Sequence, residues 1–195
     1  MLLFSDFCLN IKYCYFTFKI RKIMEELQYP IGKFQLPENI TDAQFENWKN
    51  DIASLPARVQ QLTDGFKANQ WSQTYRPDGW TALQLVHHLA DSHMNCFIRF
   101  KWAMTEDNPT IKAYNEKAWA NLPDVMQSSP IISVQLLHAL HQRWLNLISF
   151  MSEKDFAKTF YHPGQQKTHS LKGAVGLYAW HGNHHLAHLK IIADK

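Results

Sequence analysis

Thr81 to Lys101 reads T-A-L-Q-L-V-H-H-L-A-D-S-H-M-N-C-F-I-R-F-K, and its pattern is helical from the first residue. T-A-L-Q is a capping box, in which the Thr81 hydroxyl and the Gln84 amide satisfy orphan N–H groups at a helix start. Leu83, Val86, Ala90, Met94, Phe97 and Ile98 then keep helical spacing, which predicts a helix reaching about Thr105. The same helix carries His87, His88, Asp91 and His93. Near the end of the chain, W-H-G-N-H-H-L-A-H (Trp180 to His188) adds His181, His184, His185 and His188. Seven of the chain's eleven histidines therefore sit in two segments, a concentration that packing does not require. Imidazole ligates zinc, nickel and iron, and two imidazoles four residues apart share one helical face and can grip one ion. A metal site between two helices is the first expectation.

Three further helices complete the pattern. T-D-A-Q (Thr41 to Gln44) is a second capping box and predicts a helix to about Gly65, with a bend or restart near Pro56. Pro130 suits the first turn of a helix carried by Ile131, Val134, Leu137, Leu140, Trp144, Leu147 and Phe150. Ser170 caps the last helix, which follows a loop holding Tyr161, His162, Pro163 and Gly164. Met24 to Ile40, punctuated by Pro30, Gly32 and Pro37, predicts an extended arm. Glu106 to Pro130 contains three prolines and is a long connection, with Y-N-E-K-A-W-A (Tyr114 to Ala120) as a short helix inside it. A loop of that length in a compact domain is often the lid or wall of a site. No alternating β-branched segment is long enough for a strand. The fold class is all-α: a four-helix bundle with a long connection between the second and third helices.

The chain has 195 residues, 46% of them apolar, enough for one domain with a substantial core. Net charge is only +3 and no long basic run exists, so no nucleic-acid partner is expected. Cys8, Cys14 and Cys96 form no C-x-x-C unit, and their odd number argues against a disulfide framework and for a reducing cytoplasm. Cys96 reads as a small buried thiol. Residues 1–23 differ in composition, with a Phe-, Tyr- and Ile-rich stretch followed by Lys12, Lys19, Arg21 and Lys22. Asp6, Asn10 and Lys12 interrupt the apolar run, no small-residue cleavage site follows, and a membrane span would need roughly 20 apolar residues. The expectation is an artefactual or disordered extension upstream of a true start at Met24. Residues 24–195 then form a single domain, with no membrane partner; membrane anchoring by the leader is the lesser alternative.

On the last helix the inward stripe follows Leu171, Val175, Tyr178, Leu189 and Ile192. At about 100° per residue His185 points near its centre and His181 lies within it, whereas His188 falls toward one edge and His184 is rotated away. His181 and His185 are therefore the pair expected to enter the bundle. Two buried neutral imidazoles need partners, which a metal ion supplies to both lone pairs. The helix over residues 81–105 is apolar around most of its circumference, so periodicity does not decide between His87 and His88.

Gly79 to Lys101 resembles the DinB/YfiT-like superfamily of metal-binding four-helix bundles. So do T-E-D-N-P-T-I-K-A-Y-N-E-K-A-W-A (Thr105 to Ala120), F-Y-H-P (Phe160 to Pro163) and G-L-Y-A-W-H-G-N-H-H-L-A-H (Gly176 to His188). The opening Y-P-I-G (Tyr29 to Gly32) is similar to the start of the YfiT branch and supports Met24 as the start. The similarity covers nearly all of the chain except the leader. It implies His88, His181 and His185 as metal ligands, agreeing with the helical wheel on the last helix and choosing His88 over His87. H-G-N-H-H keeps the i,i+4 pair, and the residues between are expected to vary without moving the ligands. The resemblance also implies a homodimer.

His184 and His188 are expected to be supporting or surface residues, and His93 and Asn95 structural or interfacial ones. Asp91, one turn beyond His88, is either an imidazole-orienting carboxylate or an ordinary helix residue. Arg99, Tyr114, Glu116, Trp119 and His162 lie in segments that carry the resemblance, as site-lining or packing residues. Three imidazoles leave a divalent ion an open position, the catalytic arrangement for zinc, with water there brought to a pKa of about 7. The expected function is that of a metal-dependent hydrolase of a small-molecule ester, amide or similar bond. One ion is expected per chain, Zn²⁺ first and Ni²⁺ next, with Asp91 and Glu116 as candidate general bases. The alternative is an S-transferase in which the metal activates a low-molecular-weight thiol, as in the bacillithiol-, mycothiol- and glutathione-using enzymes the wider family resembles. A third possibility is a metal-binding bundle without turnover.

Overall fold

Both capping boxes form, and each starts a long helix. The Gln44 and Gln84 amides donate to the Thr41 and Thr81 hydroxyls, and each glutamine side chain accepts from its threonine's backbone N–H. The structure, a computed structural model, describes residue 19 and residues 21–195. Helix α1 spans Asp42–Asp64 and α2 spans Ala82–Thr105. A 3₁₀ turn, Ala68–Ser72, lies between them. Short helices α3 (Glu116–Trp119) and α4 (Pro123–Gln127) lie in the long connection. Then come α5 (Pro130–Ser149), with Pro130 in its first turn, and the short α6 (Glu153–Ala157). Strands β1 (Thr159–His162) and β2 (Lys167–Ser170) precede α7 (Leu171–Ala193), whose Ser170 cap accepts from the Gly173 N–H. Most of the leader expected upstream of Met24 lies outside the described residues, as do Cys8 and Cys14. Among the described residues no helix is long and apolar enough to cross a membrane.

Three local expectations are corrected. Residues 21–28 are helical, so the arm is extended only beyond its turn at Tyr29–Gly32. Glu25, Glu26, Leu27 and Gln28 are good helix formers, and the break comes at Pro30 and at Gly32, whose φ of 74° favours glycine. Of the bend or restart expected near Pro56, the restart does not occur: helix α1 continues through the proline, which is buried. The segment before the last helix is an antiparallel hairpin, with Phe160 opposite His169 and Tyr161 opposite Thr168. The other edge of β1 binds the long connection, since Tyr161 exchanges backbone hydrogen bonds with Pro109 and Ile111. Four-residue strands are too short to show an alternating pattern in sequence.

Helix α1 packs against α5 and α7, and α2 packs against the same two, so the four long helices close a ring in the order α1, α7, α2, α5. Consecutive helices α1 and α2 thus face each other across the bundle. The core falls into two apolar clusters. One holds Ile52, Phe100, Trp144 and Tyr178, and the other holds Leu55, Leu89, Leu137 and Leu189. On α2 the change from one to the other comes between Ala90 and Cys96, and on α7 between Ala179 and Leu189. The α7 interval carries His181, His184, His185 and His188, and the α2 interval carries His93, with His87 and His88 just before it.

Close approach of α1 to α7 depends on glycine. A Cβ on Gly182 would stand 2.5 Å from Leu55 Cδ2 and 3.2 Å from Cδ1, and Leu55 is buried. Gly182 sits between His181 and His185, so this one position inside H-G-N-H-H is held to glycine by packing rather than by ligand spacing. Gly182→Ala should lower stability by about 1–3 kcal/mol through overpacking, although alanine is the better helix former by about 1 kcal/mol. Urea unfolding measures the sign; a stabilised variant would show that Leu55 yields without cost.

Candidate metal centre

His88 on α2 and His181 and His185 on α7 bring one ring nitrogen each to within 4.8 Å of one another. His88 and His185 are buried, and His181 is half-buried. The Nε2 atoms of His88 and His181 stand 3.2 Å apart. Two nitrogens bound to one tetrahedral zinc at 2.0–2.1 Å are about 3.3 Å apart, so this spacing fits a shared ion. Trp80 packs over His88, with ring centroids 4.5 Å apart, and lies 6.1 Å from His185. Among the described residues no cysteine or carboxylate joins the three imidazoles.

Hydrogen-bond accounting fixes which nitrogens carry lone pairs. His141 Nδ1 lies 2.6 Å from the Ile52 carbonyl and must donate to it. A neutral His141 then accepts at Nε2 from His93 Nδ1, 3.0 Å away. His93 accepts in turn at Nε2 from His181 Nδ1, at 3.3 Å. His181 is left with its lone pair on Nε2, facing His88. A second chain does the same for His185. His188 Nε2 donates to the Gln28 carbonyl at 3.3 Å, so its Nδ1 accepts from His185 Nδ1, also at 3.3 Å. His185 is left with its lone pair on Nε2. Orientation of ligand histidines by a bond from the second ring nitrogen is a general feature of metal sites.

Neutral imidazoles are what these chains require, and burial supplies them. Burial lowers the pKa of His88 to about 4, with the His184 charge adding to it, and pushes His181 and His185 well below the usual value. Burial also lowers His141 to about 4 and holds His93 well below 6.5.

The remaining candidates fall elsewhere. His87 turns to α5, where its Nδ1 is 2.7 Å from the Ser133 hydroxyl, and is not brought to the cluster. His184 and His188 are buried, not surface residues: His188 stacks on Tyr75 and meets the Gln28 carbonyl, and His184 stacks on Trp180 and approaches Tyr29. With His185 they form a second group within 4.8 Å, yet His188 Nε2 is engaged by Gln28 and adjacent residues do not face each other on a helix. Asp91 is half-buried, with its carboxyl raised to about 6 by burial and by Asp124; no bond from it to His88 is present among the described residues. Glu116 lines a cavity of about 410 Å³ that His181 also lines; the residue as a whole is exposed, but the cavity wall removes part of its carboxyl's hydration and raises it against the pull of Arg99.

Sequence reasoning passed over His141 and treated His93 as structural. A signal was present: His141 lies seven residues after Val134 and three before Trp144, in phase with the buried stripe of α5. A histidine in such a stripe needs a partner.

The fold and these imidazoles define a helical bundle with a histidine cluster that could hold a metal ion. The chain belongs to the DinB superfamily, whose model matches residues 51–189. It is 44% identical over 173 residues to a Bacillus mycoides protein named "Putative metal-dependent hydrolase", covering 88% of this chain and 98% of that one. A Bacillus cereus protein of the same name is 46% identical over 167 residues, covering 85% and 95%. The solved structure of YfiT from Bacillus subtilis, a probable metal-dependent hydrolase with an unusual four-helix bundle topology, superposes with a TM-score of 0.84 at 41% identity. That match covers 87% of this chain and 97% of YfiT. A mycothiol-dependent maleylpyruvate isomerase shares the fold at a TM-score of 0.56 and 14% identity, over 72% of this chain and 60% of that one.

Buried histidines kept neutral tie stability to pH. The folded pKa of His141 is about 4, below the unfolded value of 6.5, so below 6.5 the unfolded state binds more protons. Its contribution, up to about 3 kcal/mol, is complete above pH 6.5 and lost as pH falls toward 4. The melting temperature should therefore fall steadily from pH 7 to pH 4.5; a flat profile would contradict the neutral-imidazole assignment.

Proposed function

We propose that the protein is a metal-dependent hydrolase whose single divalent ion is held by His88, His181 and His185. The face-to-face approach of the His88 and His181 Nε2 atoms carries this reading, because the opposite nitrogen of His181 is already committed to His93. A divalent ion there, Zn²⁺ by base rate and Ni²⁺ next, would supply a water nucleophile near neutral pH at its open position. The chain's own residues hold that position: His93 and His141 fix His181, His188 and Gln28 fix His185, and Trp80 covers His88. Glu116, at the mouth of the cavity beside His181, is better placed than Asp91 to handle a proton, since it shares that cavity. The relatives named as metal-dependent hydrolases support the reaction class.

An S-transferase using a small thiol at the same open position is the second reading, and the cavity of about 410 Å³ beside His181 has room for such a molecule. Conjugation of an electrophile that requires added thiol, with no ester hydrolysis, would favour it. We further propose a cytoplasmic homodimer acting on a small molecule.

Metal titration of wild type, His88→Ala, His181→Ala, His185→Ala and His141→Phe tests the site. Wild type should bind about one ion per chain and each alanine variant should lose it. His141→Phe keeps all three ligands but frees the His181 tautomer, and its affinity should fall about 10–100-fold. Wild type that takes up no metal, or a His141→Phe variant of unchanged affinity, would contradict the proposal.

A further inference from the structure

We propose that Arg99 forms, in the cavity beside His181, a subsite for the carboxylate of a small-molecule ligand. Arg99 follows His88 by 11 residues on α2, about three turns, which places both on one face of the helix. Its side chain is buried, with 7% of the residue exposed, and it lines the cavity that His181 lines. A guanidinium stays charged in proteins, and buried charges are ordinarily paired. Among the described residues, however, no carboxylate lies within 4.0 Å of Arg99. Its one side-chain hydrogen bond runs from Nη1 to the Tyr178 hydroxyl, 3.2 Å away, so most of its five donors are uncommitted.

A second group points the same way. Tyr114 lines the cavity, and its buried hydroxyl has no well-formed hydrogen bond among the described residues, only the nearby Ser92 side chain. A planar carboxylate would accept from the guanidinium fork and from a phenol together, which satisfies both groups. Glu116, the one acidic residue in the lining, is exposed and farther than 4.0 Å from Arg99, so it does not fill this role. Tyr178 connects the subsite to the metal centre, because its ring lies 5.5 Å from that of His181. A ligand anchored at Arg99 would present its remaining part toward His181. In this respect the inference rests on the proposed function and narrows its substrate to small molecules bearing a carboxylate.

Calorimetry on the full-length protein as purified tests it, with succinate, succinamide and inorganic phosphate as probes and metal content measured separately. Succinate should bind wild type at least about tenfold tighter than succinamide. Arg99→Met should abolish that preference while retaining metal and helical circular dichroism, and Arg99→Lys should keep only part of it. Equal binding of succinate and succinamide to wild type would overturn the subsite without reference to any variant. So would a succinate preference that survives in Arg99→Met, which would place the anion on the metal. Phosphate binding as tight as succinate, with the same dependence on Arg99, would overturn the assignment to carboxylate. A failed hydrolysis assay leaves these results standing, and a lost subsite leaves the metal titration standing.

Discussion

A buried imidazole calls for a partner at each ring nitrogen, and around the candidate metal centre the demand is met in series. Ile52 offers the first fixed acceptor, since a carbonyl can only accept. From that point His141, His93 and His181 have no freedom in where their protons sit. Gln28 plays the same part for His188 and His185. Two backbone carbonyls, one on α1 and one in the arm, thereby set lone pairs on α7 that neither segment touches directly at the metal position.

The cost of this arrangement shapes the bundle. A layer of polar rings through the middle of a core removes apolar contacts, and the core divides into two clusters on either side of it. Those clusters must hold the helices close enough that ring nitrogens meet at about 3 Å, which explains why α1 presses against Gly182 with no room for a side chain. It also explains why residues 21–31 fold back over His184 and His188. Left open to water, His188 would lose its carbonyl acceptor and His185 its fixed tautomer. The wall of the cavity beside His181 comes from the other end of the layer, where the hairpin and the long connection are joined through Tyr161, Pro109 and Ile111.

The long helices were legible because their signals are local: two capping boxes, Pro130 at a helix start and Ser170 as a cap. The pair His181 and His185 was legible from periodicity. His88 was not, because α2 is buried on nearly every side and its wheel has no polar face to orient it; there the family resemblance decided. The hairpin escaped because its strands are four residues long. Helix in residues 21–28 escaped because Pro30 and Gly32 were read as marking the whole arm, when they mark only its turn. His141 and Gly182 depend on neighbours distant in sequence, so their roles emerge only once the helices are packed.

Where an ion sits decides the ligand assignment. Anomalous diffraction at the zinc absorption edge, from crystals of the zinc-reconstituted protein, measures this directly. A single peak bounded by the Nε2 atoms of His88, His181 and His185 is the predicted result. A peak among His184, His185 and His188, or no peak at full reconstitution, would contradict it.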